Sequence, residues 1–209
     1  MNSYSDRFGP EISFAGTMAL GAEKVAIIKV ARGGTSLAHG VSGYGSWDPD
    51  YAEANGRNQL DYALTAIQNA LAARDIDGDG VEDRLVPAGI VWMQGEADAA
   101  GNQAAANDYA RNLSRLMGIF REALGDDELP VDIGRIKDSG DTEETRVMQF
   151  SPLVQEQQAQ FAAQDRCAAM VDTTRGFSFP EDGWHYSSED YLALGTAFAE
   201  AMRLLEASC

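Results

Sequence analysis

Cysteine and histidine are scarce in this 209-residue chain, two of each, and no apolar run approaches the roughly 20 residues a membrane-spanning helix needs. Cys167 and Cys209 alone cannot build a disulfide framework; they can close one long loop over the last strand and helix, or stay as two thiols. With His39 and His185 alone, any imidazole chemistry near neutral pH has two places to reside. Cations are also few. Sixteen Lys and Arg stand against 33 Asp and Glu, for a net charge of −17 and a pI near 4.3. That balance argues against nucleic acid as a partner, because phosphate contacts need clustered Lys and Arg. It suits a solvated surface or saline surroundings. The opening Met-Asn-Ser-Tyr-Ser-Asp is no secretory leader, so a leader for export is expected outside this sequence. No repeat, low-complexity tract or linker interrupts the chain, and 44% hydrophobic content predicts one domain over 1–209 with a proper core.

What is present is an alternation of strand and helix signals. Gly9-Pro10-Glu11 opens a short helix, with Pro10 at its first position. The β-branched run over 24–31 predicts a strand ending in Arg32-Gly33-Gly34-Thr35-Ser36. Leu60, Leu64, Ile67 and Leu71 fall on one helical stripe, and Tyr109, Leu113, Leu116, Phe120 and Leu124 on another that stops at Gly125. Strands are predicted over 88–93, over 129–136 with Pro130 at its start, and over 168–172. A helix near 150–164 and a terminal helix with Leu194, Phe198, Met202 and Leu205 complete the pattern. The prediction is an α/β fold of three layers, a parallel sheet covered by helices on both faces. Ligands gather at the carboxyl ends of such strands, where the polar segments 32–36, 94–98 and 173–185 fall.

Those segments carry the chemistry. Asp182 lies three residues before His185 and can reach back across the turn to fix the imidazole tautomer and stabilise its charged form. Gly33-Gly34 leaves backbone amides open to a developing oxyanion, or is simply a turn. Gln94 can donate to the same oxygen. Glu96 and Asp98 can orient Arg32 or the base, or be solvated loop acids. Tyr44, Trp47, Trp184 and Tyr186 can stack on sugar rings or serve as ordinary loop and core aromatics.

Trp92-Met93-Gln94-Gly95-Glu96-Ala97-Asp98, Gly33-Gly34-Thr35-Ser36 and Asp182-Gly183-Trp184-His185 together resemble the SGNH-hydrolase superfamily. More narrowly they are similar to the sialate O-acetylesterase and acetylxylan esterase group, carbohydrate esterase family 6. Gly9-Pro10-Glu11 and Ile133-Gly134-Arg135-Ile136 fit the same group. The resemblance implies a flavodoxin-like α/β/α fold and a serine-type esterase that removes acetyl groups from sugar hydroxyls, with no cofactor for catalysis. It implies Asp182 and His185 as triad members, Gln94 with Gly33 or Gly34 as oxyanion donors, and Arg32, Ser36, Glu96 and Trp184 at the substrate. The group's nucleophile lies in a Gly-Gln-Ser-Asn-type motif after a first, central strand, and no Gly-x-Ser-Asn follows any strand here. Ser36 is the best placed of the remaining serines; Ser13, Ser114 and Ser151 fall in or at helices. Three expectations follow: a domain missing its first strand, a complementary N-terminal segment that supplies it, or an inactive member that only binds carbohydrate.

A separate motif is Asp75-Ile76-Asp77-Gly78-Asp79-Gly80-Val81-Glu82-Asp83. Carboxylates at Asp75, Asp77, Asp79 and Asp83, with the Val81 carbonyl, match a calcium loop through its ninth position. Val86 replaces the usual twelfth-position glutamate. A structural calcium at this turn points to a secreted or periplasmic protein, since calcium is millimolar outside cells.

Overall fold

The computed structural model describes residues 8–20, 24–52 and 58–209; the Met1–Asp6 opening lies outside them. Three parallel strands, β1 (Ile90–Trp92), β2 (Val131–Gly134) and β3 (Ala168–Val171), stand in the order β1-β2-β3. Val131 is opposite both Ile90 and Ala168. Helices α1 (Glu11–Met18), α2 (Gln59–Ala72), α3 (Glu96–Gly101), α4 (Gln103–Asn107), α5 (Tyr109–Leu124), α6 (Ser151–Gln164) and α7 (Ser188–Glu206) flank the sheet, and a 3₁₀ turn covers Thr173–Gly176. This is the expected α/β/α arrangement.

Side-chain alternation along β2 assigns the layers. Val131 and Ile133 are fully buried in one core with Leu113, Leu116, Val154 and Phe161 of α5 and α6. Gly134 faces the other layer, where an added Cβ would come within 2.9 Å of Phe198 on α7. Leu194, Phe198, Met202 and Leu205 bury the inner face of α7, as their spacing predicts. Gly125 ends α5 in the left-handed conformation, and Pro130 precedes β2 with its carbonyl accepting from the Ile90 amide at 2.8 Å. Pro10 caps α1 rather than opening it, a shift of one residue. Cys167 and Cys209 form a disulfide spanning 42 residues, which ties β3 to the end of α7. Closing a loop of that size removes about 4 kcal/mol of unfolded-chain entropy.

The strand expected over 24–31 is not formed. These residues pair with no ladder, and Val25, Ile27 and Ile28 are between 38% and 42% exposed. A β-branched run cannot hold strand geometry without a hydrogen-bonded neighbour, and an open cleft separates this one from β1.

Asp132 on β2 is fully buried, and neither carboxylate oxygen has a hydrogen-bond partner among the described residues. Burial pushes its pKa up to about 8. Because the folded-state value lies above the unfolded one, folding favours the protonated acid. The resulting penalty is absent below about pH 4, grows as pH rises, and levels off above about pH 8. Asp132→Val should therefore stabilise the protein at either pH, and by a few kcal/mol more, roughly, at pH 8 than at pH 4. Urea midpoints of both proteins across that range check it; a difference independent of pH would show that the carboxylate is not the cause.

Candidate active site

His185 projects from the loop between the 3₁₀ turn and α7, and two local devices hold that loop. Tyr186 is buried, its ring packed edge-on against Phe177 with centroids 5.2 Å apart, and its hydroxyl accepts from the Lys137 amide at 3.1 Å. The Ser187 hydroxyl caps α7 by accepting from the Asp190 amide at 3.1 Å, while Asp190 accepts from the amide and hydroxyl of Ser178. With Tyr186 anchored inward, its neighbours Trp184 and His185 are left facing out.

The expected carboxylate contact is present. His185 Nδ1 lies 2.8 Å from Asp182 Oδ2, and the other Asp182 oxygen accepts from the amides of Trp184 at 2.7 Å and His185 at 2.8 Å. One carboxylate thus sets both the turn and the ring orientation, leaving Nε2 for proton exchange with a substrate. The bond from His185 holds the Asp182 pKa down at about 2, so it remains a carboxylate at neutral pH.

A second group of residues lies at the carboxyl end of β1. Gly95, at φ +146°, turns the chain from β1 into α3, where an added Cβ would meet Val154 and Ile136 at 3.0 and 3.1 Å. That turn places Gln94 and Asp98 together. Asp98 is fully buried and accepts from the Leu37 amide at 2.9 Å, the Ala38 amide at 3.0 Å and Gln94 Nε2 at 2.7 Å. Gln94 Nε2 also donates to the Thr35 carbonyl at 2.9 Å. Both amide hydrogens of Gln94 are therefore engaged, and donation to an oxyanion requires one of these bonds to be exchanged. Burial raises the pKa of Asp98, against the pull of Gln94 and the two amides. Glu96 is half-buried and also raised by burial, with nearby Asp98 adding to the shift and His185 opposing it.

One cleft of about 1960 Å³ unites most of the expected residues: Arg32, Gly33, Gly34, Gln94, Glu96, Trp184 and His185 all line it. Trp184 is 43% exposed. Gly34, at φ +73°, lies against Tyr44, whose ring carbon would be 2.8 Å from an added Cβ. Ser36 must be corrected, both as a substrate contact and as the spare nucleophile. It is fully buried, its hydroxyl donates to the Ala38 carbonyl at 2.8 Å, and its backbone ties the loop to Gly45 and Trp47. Asp98 orients neither Arg32 nor the base, as its sequence position suggested; it braces the 35–38 loop. Tyr109 was legible only as a core aromatic, yet its hydroxyl donates to the Gln94 carbonyl at 2.6 Å and accepts from Trp92 Nε1 at 3.3 Å.

Residues 2–204 match the family described as carbohydrate esterase, sialic acid-specific acetylesterase. The chain belongs to that family. The family is one of carbohydrate esterases. Among solved structures, an Arabidopsis thaliana protein studied by X-ray crystallography matches all of this chain and 74% of its own, at 20% identity and a TM-score of 0.68, which supports the same fold. A carbohydrate acetylesterase from Xanthomonas citri matches 57% of this chain and 26% of its own, at 22% identity and a TM-score of 0.44. No curated protein matches.

The acidic loop precedes β1 in the chain, and its Asp77 and Asp83 border the same cleft. Carboxylate oxygens of Asp75, Asp77 and Asp83 fall within 4.8 Å of one another, while Asp79 stands outside the group and accepts from the Val81 amide at 2.8 Å. The Lys24 ammonium sits on the cluster, 2.7 Å from Asp77 and 3.9 Å from Asp83.

Asp98→Ala should lower stability by about 3 kcal/mol, because it leaves two buried donors, the Leu37 amide and the Gln94 side chain, and the partly buried Ala38 amide without their acceptor. Asp98→Asn, which keeps acceptor capacity, should lose less. Denaturant midpoints of the two variants test this; equal losses would mean that the cost arises from packing.

Proposed function

We propose that this chain is a serine-type carbohydrate O-acetylesterase acting on acetyl groups carried by sugar hydroxyls. The observation that carries the reading is the His185–Asp182 contact on the wall of the cleft shared with Gly33, Gly34 and Gln94. In the proposed reaction His185 Nε2 takes the proton of the attacking hydroxyl as that oxygen bonds to the acetyl carbon. Asp182 stabilises the imidazolium. The carbonyl oxygen becomes an oxyanion that accepts hydrogen bonds from the amides of Gly33 or Gly34 and from the Gln94 side chain. The sugar oxygen then leaves with the proton returned by His185, and water releases acetate by the same two steps. The attacking serine is assigned to no residue here; we place it on a segment complementary to this chain. Arg32, Glu96 and Trp184 are proposed to hold the sugar, Trp184 by stacking.

His185→Ala and Asp182→Asn should each lower acetate release from 4-nitrophenyl acetate and from an acetylated sugar by on the order of 10³-fold or more, with the fold intact by circular dichroism. Unchanged turnover in His185→Ala would remove the imidazole from the reaction.

Asp75, Asp77 and Asp83, with Asp79 and the Val81 carbonyl, are proposed to bind a structural calcium ion. The Lys24 ammonium marks the place a cation favours, since three converging carboxylates repel one another without one. The disulfide suits an oxidising compartment outside the cytosol, where the proposed calcium ion would also be abundant. Calcium at saturating concentration should stabilise the protein by roughly 1–3 kcal/mol, and Asp75→Asn should abolish the effect. A thermal midpoint indifferent to calcium and to EDTA would exclude the site.

A further inference from the structure

We infer that Lys137 is a positioning residue for His185: its ammonium fastens the loop that carries the imidazole to the end of β2, and so fixes where Nε2 stands on the wall of the cleft. This rests on the reading of His185 as the proton-transferring group. The bonds made by Asp182 run to Trp184 and to His185 itself, so they set the shape of that turn and not its place on the molecule. The place has to come from contacts outside the turn.

Lys137 meets the loop at both ends. Its main-chain amide donates to the Tyr186 hydroxyl at 3.1 Å, beside His185, and its ammonium donates to the Phe177 carbonyl, where the loop leaves the 3₁₀ turn. The same ammonium lies 5.7 Å from the centroid of the Phe179 ring, which in turn packs on Tyr186 with centroids 5.1 Å apart. The negative face of a ring attracts a cation, so carbonyl and ring hold the ammonium together. The backbone on either side of Lys137 is itself fixed. The Arg135 amide donates to the Val171 carbonyl at 2.9 Å and the Ile136 amide to Gln158 Oε1 at 3.0 Å. Beyond Lys137, buried Asp138 accepts from the amides of Gly140 at 2.8 Å, Val147 at 3.0 Å and Met148 at 2.7 Å. The turn also rests on this segment, since a Cβ added to Gly183 would come within 2.9 Å of Val147 and 3.0 Å of the Ser139 hydroxyl. The imidazole is thus referred to the sheet through the residues that follow β2, with the Lys137 side chain closing the loop onto them. A base misplaced by about 1 Å loses on the order of 10²-fold in rate.

Lys137→Met tests this, because it removes the ammonium while keeping the stem and the main-chain bond to Tyr186. With 4-nitrophenyl acetate, which needs no sugar platform, kcat should fall roughly 10–100-fold while KM stays within about twofold. Lys137→Arg should recover most of the loss, since a guanidinium can donate to the same carbonyl and stack on the same ring. Phe179→Leu, which removes the ring alone, should fall between wild type and Lys137→Met. In parallel, nuclear magnetic relaxation of the two imidazoles is compared. The His185 ring should gain motion in Lys137→Met, while His39, the chain's other histidine, serves as the unchanged reference. Equal losses in the Met and Arg variants, a change confined to KM, or an unaltered His185 ring would each overturn the inference. If His185→Ala costs no turnover, the esterase reading falls instead, and ring relaxation alone decides whether Lys137 holds the imidazole in place.

Discussion

The carboxyl end of this sheet is arranged by the Asp98 carboxylate, which has no solvent and takes donors from two separate parts of the chain. Leu37 and Ala38 reach it from the loop after Gly33-Gly34, and Gln94 reaches it from the end of β1. A buried charge is tolerated only when its lone pairs are met, and here they are met by the loop after the diglycine turn and by the end of β1. The Thr35 carbonyl closes the circuit through the second hydrogen of Gln94, one residue from Gly34. Tyr109 and Gln158 then hold the Gln94 carbonyl from behind. Removal of any one of these bonds frees a buried donor, so the set behaves as a unit.

Three acids near the cleft occupy different environments and are suited to different work. Asp182 is exposed, hydrogen-bonded by His185 and two amides, and strongly ionised; it can stabilise a charge that appears on the imidazole. Asp98 is buried and static. Glu96 lies between these extremes, half-buried, with its pKa raised by burial and within electrostatic reach of both His185 and Asp98. Environment, rather than residue type, separates the three.

Much of this was legible in the sequence where the deciding physics is local. The Asp182–His185 contact spans three residues and a turn, and α5 and α7 announce themselves by helical spacing over four turns or more. Pro130 marks the start of β2 for the same reason. What escaped was set by distant partners. Ser36 looked available because nothing in Gly-Gly-Thr-Ser reveals that the following loop folds over it. Asp98 looked like a loop acid because its three donors come from elsewhere. The short helices α3 and α4, rich in alanine, offer no periodic apolar face to read. Residues 24–31 escape the reading because strand preference measures fit to a neighbour, and no strand lies beside them among the described residues.

The two halves of the cleft are consequently held with unequal strength. His185 belongs to the segment closed by the Cys167–Cys209 bridge, anchored by buried Tyr186 and by a helix whose inner face is wholly covered. Opposite it, the extended run leading to the diglycine turn is tethered by the Lys24–Asp77 and Lys29–Glu11 pairs, both substantially exposed. Surface pairs of that kind are screened by solvent and add little, while Val30 of this run packs against the main core. The position of Gly33 and Gly34 therefore depends on what lies downstream, where Thr35 and Ser36 are fixed by Gln94, Trp47 and Gly45 and the whole loop by Asp98. The oxyanion donor proposed on Gly33 or Gly34 would thus be only as well placed as that buried carboxylate makes it, however rigid the histidine on the other wall.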